Sequence, residues 1–257
     1  MAKNDLQRRH GGPGQGKLFV VGIGPGDPLD RTRRAEAAII GSDVVVGYRQ
    51  YLDLIADLTM GKEIVASGMT QEVERCRMAL RHASAGKTVA LVSSGDPGVY
   101  GMAGLALEMA AGEDFQATIE IIPGVPSANA AAARLGAPLM LDYATISLSD
   151  LLVSWATIRT RLEAVAAADL VVALYNPRSR KRIRQLEEAA EIFRIHRPGA
   201  TPVGIATAVG RRDEQIILSD LDHFLNEPIG MRSMVIIGNS ASRTARGWFI
   251  TSRGYRL

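Results

Sequence analysis

The chain has 257 residues, 47% of them hydrophobic and 22% charged, with a formal net charge of +3. That length leaves room for one large or two medium domains around a real core. No apolar run approaches the roughly 20 residues of a membrane span, and aromatics make up only 5%, so neither a membrane nor a nucleic-acid partner is expected.

Met1–Gly16 is polar and glycine-rich without an apolar signal core, which predicts a disordered tail and a cytoplasmic protein. Strands are predicted over Lys17–Val21, Val44–Val46, Thr88–Val92 and Thr118–Ile122. Between them, helices are predicted over Thr32–Ile40, Gln71–Ala85 and Gly101–Ala111. In the second of these, Val73, Cys76, Leu80 and Ala83 share one face, and Gly86 ends it. Continuously apolar strands separated by helices imply a parallel sheet covered on both faces. Further on, Leu151–Ala167 predicts a helix, Leu170–Tyr175 a strand and Lys181–Arg194 a helix with Ile183, Leu186, Ala190 and Phe193 inward. Strands follow over Pro202–Thr207, Glu214–Leu218 and Met234–Gly238, and Arg211-Arg212-Asp213 suits a hairpin between the first two. Two α/β domains are therefore expected, 17–132 with a parallel sheet and 133–257 with a mixed one, joined near Gly136-Ala137-Pro138.

The single cysteine, Cys76, sits at helical spacing among apolar residues and reads as a small core side chain. With no second cysteine, intrachain disulfides and thiolate-held zinc or iron–sulfur clusters are excluded. The histidines (His10, His82, His196, His223) show no metal-ligand spacing, and no metal site is expected. The basic run Arg178, Arg180, Lys181, Arg182 and Arg184 opens a predicted helix. It serves either as a solvated helix start or as a surface attracting an anionic small substrate.

Glycine-rich turns follow the buried strands. Gly22-Ile23-Gly24-Pro25-Gly26-Asp27 invites a dinucleotide reading, but Pro25 sits inside the turn and Asp43 begins the second strand instead of ending it. No Gly-Lys-Ser/Thr follows, so a phosphate loop fails too, and a purely structural turn stays open. Ser93-Ser94-Gly95-Asp96-Pro97-Gly98 puts a carboxylate at a strand end, able to accept from a ribose or pair with an ammonium group, or to act as a plain turn residue. Pro123-Gly124-Val125-Pro126-Ser127 repeats the arrangement, and Tyr175-Asn176-Pro177-Arg178-Ser179 supplies a donor and acceptor in Asn176 or a common turn starter. Such strand-end turns are expected to converge on an interdomain cleft that takes a small molecule.

Gly-x-Gly-Pro-Gly-Asp, then Ser-Gly-Asp-Pro-x-x-Tyr-Gly, then Ile-Pro-Gly-x-x-Ser-Ala resemble the tetrapyrrole methylases, S-adenosylmethionine enzymes that modify uroporphyrinogen and corrin precursors. The match runs from about Lys17 to Leu257. Val46-Gly47-Tyr48, Ser67-Gly68-Met69, Leu135–Met140, Ile146–Leu152, Tyr175–Ser179 and Ile250–Tyr255 resemble the members that methylate carbon 17 of precorrin-3B with ring contraction. The resemblance implies two α/β domains, a homodimer, and a precorrin-3B or cobalt-bearing corrinoid substrate. It also implies that Pro25, Gly95, Asp96, Pro97, Val99, Tyr100, Pro126 and Ser127 contact S-adenosylmethionine, with Tyr175, Asn176, Ala208 and Ser233 at its adenosine. The acid–lysine pair of the related uroporphyrinogen methylases is missing: those regions read Gly47-Tyr48-Arg49 and Ser67-Gly68-Met69.

Ring contraction needs positioned acid–base groups, for which Tyr48 and Asp150 are the candidates. The alternatives are a packing role for Tyr48 and an early-helix role for Asp150. Arg49, Arg178 and Arg180 are candidates to grip the substrate's carboxylate arms. A methylase acting at another ring position and a non-catalytic nucleotide-binding module remain the competing classes.

Overall fold

Apolar runs with no polar alternation must be covered on both faces, and in the first half of the chain they are. The structure, a computed structural model, describes residues 16–112, 115 and 117–256, so the expected N-terminal tail lies outside the described residues except for Gly16. Strands β1 (Lys17–Gly22), β2 (Val44–Tyr48), β3 (Glu63–Ser67), β4 (Thr88–Ser93) and β5 (Thr118–Ile122) form one sheet in the order β3-β2-β4-β1-β5. Every pairing in it is parallel. Helix α1 (Arg33–Ile40) and the short α2 (Arg49–Asp53) cover one face through Ala35, Ile39 and Leu52. Helices α3 (Glu72–Ser84) and α4 (Ala103–Gly112) cover the other through Cys76, Leu80, Ala103 and Ala106. Thr32 caps α1, its Oγ1 accepting from the Ala35 N–H at 3.1 Å.

The second unit begins at Ser127. It contains α5 (Ser127–Leu135), β6 (Gly136–Ala137), β7 (Tyr143–Ser147), α6 (Trp155–Ala167), β8 (Val171–Tyr175), α7 (Arg184–His196), β9 (Pro202–Thr207), β10 (Gln215–Asp220), β11 (Ser233–Ile237), β12 (Ser242–Ala245) and β13 (Trp248–Thr251). Its main sheet runs β10-β9-β11-β8-β7, mixed as expected: β7 and β8 are parallel, and the β9–β10 pair is antiparallel. A three-stranded sheet joins β12, β13 and β6. Helix α5 belongs wholly to this unit and does not straddle the expected joint at 132–133, because Leu135 packs over Gly204 of β9.

Several local expectations are corrected. Helix α6 starts at Trp155, not Leu151, because Ser154 caps it by accepting from the Thr157 N–H. On α3, Val73 is 50% exposed and Arg75, at 4%, takes the inward position. Ile183, expected inward, precedes α7 and is 47% exposed. Strands β3, β6, β7, β12 and β13 have no counterpart among the predicted strands. Cys76 is fully buried, and burial pushes its thiol up to about 11, as a core cysteine requires.

Glu120 on β5 meets Lys17 at 2.8 Å and Arg34 at 2.9 Å. The hydrogen bond from Lys17 holds its carboxyl below the ordinary value of 4.5. A depressed folded-state value stabilises above the unfolded value, and that contribution is lost as pH falls through the folded one. Glu120→Gln should therefore cost less than about 1 kcal/mol at pH 7, as a solvent-screened pair does. The gap to wild type should close in urea unfolding as pH drops below 4.5.

Candidate functional site

Strands β1 and β4 are neighbours, yet the chain leaves them for opposite faces of the sheet: α1 packs with Val21 and Ile23, and α4 with Leu18 and Val20. Right-handed crossovers in opposite directions produce this arrangement and open a crevice beyond the strands' carboxyl ends.

Beyond β1, β4 and β5, three turns touch through bare backbone. The Ile23 N–H donates to the Ser93 carbonyl at 2.9 Å, and Gly24 and Gly95 exchange bonds at 3.2 and 2.7 Å. Both of these glycines are left-handed, at φ 73° and 70°. A Cβ on Gly124 would collide with the Gly95 carbonyl oxygen and lie 2.7 Å from that of Gly22. Asp96 locks the assembly: its Oδ1 accepts from Gly98 N–H at 2.8 Å and its Oδ2 from Gly124 N–H at 3.1 Å. Asp96 is therefore a brace between two turns, with a lone pair left on each oxygen. Pro25 is buried within the first turn, and Asp27 caps the short helix after it by accepting from the Leu29 N–H.

Tyr100 closes the β4 turn at φ 51°, 55% exposed. Tyr48 ends β2, and Arg49 beside it is exposed. Between the ends of β2 and β3 lies the buried Arg75, a residue the periodicity argument missed because it expected an apolar side chain on that face.

In the second unit β8 and β9 both run antiparallel to β11, so the ends of β8 and β9 and the start of β11 share one edge. That edge brings together Tyr175, Asn176, Ala208 and Ser233. The Tyr175 hydroxyl accepts from the Ala128 N–H at 3.2 Å, beside Ser127 at the start of α5. Asn176 donates to Ser147 Oγ at 3.0 Å, which links the Tyr175–Ser179 and Ile146–Leu152 segments. Ser233 Oγ meets Thr207 Oγ1 at 2.7 Å and accepts from the Gly230 N–H at 3.0 Å. Among the described residues six non-glycines have positive φ, and Tyr100, Asn176 and Ala208 are three of them. Each such residue carries a strain of order 1–3 kcal/mol that the surrounding structure must hold, and half of them fall on expected cofactor contacts.

The basic run divides. Arg182 is buried and donates to the Leu148 carbonyl at 3.0 Å. Burial lowers its pKa, with Asp150 acting in the opposite sense. Arg178 pairs with Glu187 at 3.4 Å while its Nε is buried without a hydrogen-bond partner, and Arg180 is exposed. Asp150 is not an early-helix residue: it is exposed, four residues before the Ser154 cap, and accepts from Gln185 Nε2 at 2.9 Å.

The nested turns make a steric prediction. Gly124→Ala should cost about 1–3 kcal/mol, as overpacking does. Gly104→Ala, on α4 with nothing within 4 Å, should be neutral or stabilising by up to about 1 kcal/mol. Urea unfolding of both checks this, and a Gly124→Ala protein as stable as wild type would contradict the nesting.

Residues 17–224 match the sequence profile of the Tetrapyrrole (Corrin/Porphyrin) Methylases. The chain is 45% identical over 246 residues to the cobalt-factor III methyltransferase of Priestia megaterium, covering 94% of this chain and 46% of that one. It therefore spans about half the length of that curated relative. It is 43% identical over 240 residues to a probable cobalt-factor III C(17)-methyltransferase of Salmonella typhimurium, covering 93% of this chain and 100% of the relative. Among solved structures, the methyltransferase CobJ aligns with a TM-score of 0.85 and 33% identity, over 92% of this chain and 100% of that one.

Proposed function

Because the chain belongs to the tetrapyrrole (corrin/porphyrin) methylases, we propose that it transfers a methyl group from S-adenosylmethionine to carbon 17 of a precorrin-3B-type macrocycle, with ring contraction, in cobalamin biosynthesis. Both relatives are named for cobalt-factor III, which favours the cobalt-bearing substrate over metal-free precorrin-3B. The observation that carries the reading is the nest of bare backbone at Gly22, Gly95 and Gly124, locked by Asp96. With no side chain between them, the converging turns can present main-chain groups and the spare Asp96 lone pairs to a ligand at their rim. The family resemblance supports a cytoplasmic homodimer.

S-adenosylmethionine, when bound, supplies a methyl group activated by a sulfonium centre. The residues present fit it. Pro25, Gly95, Asp96, Pro97, Val99 and Tyr100 would hold the methionine and ribose portions, the spare Asp96 lone pairs accepting from hydroxyl or ammonium groups. Pro126 and Ser127 would flank it, and Tyr175, Asn176, Ala208 and Ser233 would meet the adenosine. The chain's own task in methyl transfer is to align the reacting groups and exclude water. Arg49, Arg178 and Arg180 would bind the carboxylate arms, and the unpartnered Nε–H of Arg178 is a donor that such an arm would satisfy. Tyr48 and Asp150 would move protons during contraction, with Gln185 orienting Asp150.

An anaerobic assay with labelled S-adenosylmethionine, run in parallel on the two substrates, tests the function. Methylated, contracted product from the cobalt-bearing substrate is expected. Product from the metal-free one alone would place the enzyme in the other branch, and transfer to neither, despite cofactor binding, would move the chemistry to another ring position. In the same assay Asp150→Asn should lower kcat by about 10²–10⁴-fold; undiminished turnover removes Asp150 from proton handling.

A further inference from the structure

The proposed reaction leaves the buried Arg75 of the first unit unused. Arg75 is only 4% exposed on α3, where Cys76, Ala79, Leu80 and Ala83 already supply the helix's apolar contact with the sheet. Packing alone does not call for a guanidinium here, because burying a charge carries a desolvation cost that an apolar side chain does not. Its hydrogen bonds show what the charge does instead. Nε donates to Ser67 Oγ at 2.6 Å and Nη2 to the Gly68 carbonyl at 2.7 Å, both at the end of β3. Nη1 lies 3.6 Å from Met102 Sδ, on the segment between Tyr100 and α4. The guanidinium carbon stands 5.9 Å from the centre of the Tyr48 ring, at the end of β2, and Tyr51 meets that ring edge-on at 5.2 Å. Among the described residues its one carboxylate neighbour is Glu72, at 4.0 Å. One side chain thus touches the ends of β2 and β3 and the continuation of β4.

We propose that Arg75 is a positioning residue for the reaction, acting through Tyr48: its planar fork fixes the β3 end, and its charge holds the Tyr48 ring. The proposal rests on the reading of Tyr48 as a group that meets the substrate. A cation over an aromatic face is attracted by the ring quadrupole, and only arginine combines that contact with a rigid set of directed donors. Lysine keeps the charge but not the fork, so Arg75→Lys should displace the ring without leaving the site uncharged.

The test is a double-mutant cycle on the full chain with Arg75→Lys, Tyr48→Phe and the pair. Ser67→Ala, which removes the Nε acceptor and leaves the arginine in place, serves as a second variant should Arg75→Lys fold poorly. Arg75→Lys should lower kcat by about tenfold or more with the KM for S-adenosylmethionine unchanged within about twofold, the pattern of an interaction made in the transition state. In the Tyr48→Phe background the same change should have no further effect on kcat, because the two residues act as one. Equal fold-losses in both backgrounds would mean a merely structural role and overturn the proposal, as would full turnover by Tyr48→Phe. With ¹³C-labelled tyrosine, the ring signal assigned by its loss in Tyr48→Phe should shift in Arg75→Lys and in Ser67→Ala; an unmoved signal overturns the proposal. That spectrum needs no turnover, so it decides the Arg75–Tyr48 link even where no corrin substrate reacts and the functional reading itself fails.

Discussion

Two glycines that accept no side chain, Gly22 and Gly124, together with the left-handed Gly95 they pack against, are the constraint on which the first unit's chemistry depends. Their backbones touch where β1, β4 and β5 end, and a Cβ on Gly22 would lie 2.6 Å from the Gly95 carbonyl oxygen and 2.7 Å from the Gly124 nitrogen. Parallel strands are about 4.8 Å apart, so the turns beyond them converge only if nothing projects between them. Asp96 converts that steric permission into a fixed shape, because its two oxygens satisfy main-chain donors on two different turns. The strand order then decides where the shape faces. With α1 and α4 on opposite faces, the crevice between β1 and β4 is left uncovered by either helix.

The second unit reaches a comparable edge by other means. Its sheet is mixed, so strand ends and strand starts lie side by side, and hydroxyls do what glycine backbones do in the first unit. Ser233 bonds to Thr207 and Gly230, Tyr175 to the start of α5, and Asn176 to Ser147. Asn176 and Ala208 hold left-handed backbone at φ 50° and 53° without being glycine. Asparagine tolerates that conformation, whereas an alanine holds it only where its surroundings impose it. The Ala208 N–H bond to the Arg232 carbonyl at 3.0 Å is part of that imposition.

Much of this was legible in the sequence, for identifiable reasons. Strands β1, β4 and β9 are long apolar runs buried along their length, and the glycine turns after β1 and β4 follow them directly. The edge strand β3 escaped because Glu63 and Ile64 are exposed, so its composition carries no buried pattern. Arg75 escaped because helical periodicity assigns the inward face to apolar residues, whereas here the polar strand ends beneath α3 take a guanidinium. The basic run from Arg178 to Arg184 read as one surface, although Arg182 is turned inward onto the Leu148 carbonyl. Spacing cannot distinguish a buried arginine from a solvated one when the buried partner is a main-chain oxygen far along the chain.

The central claim is that bare strand-end backbone is the cofactor platform. A crystal structure with S-adenosylhomocysteine tests it most directly. The account predicts the ligand against the main chain of Gly95–Tyr100, with the left-handed conformation of Tyr100 retained. A ligand seated away from those turns, or turns that rearrange to admit it, would contradict the claim.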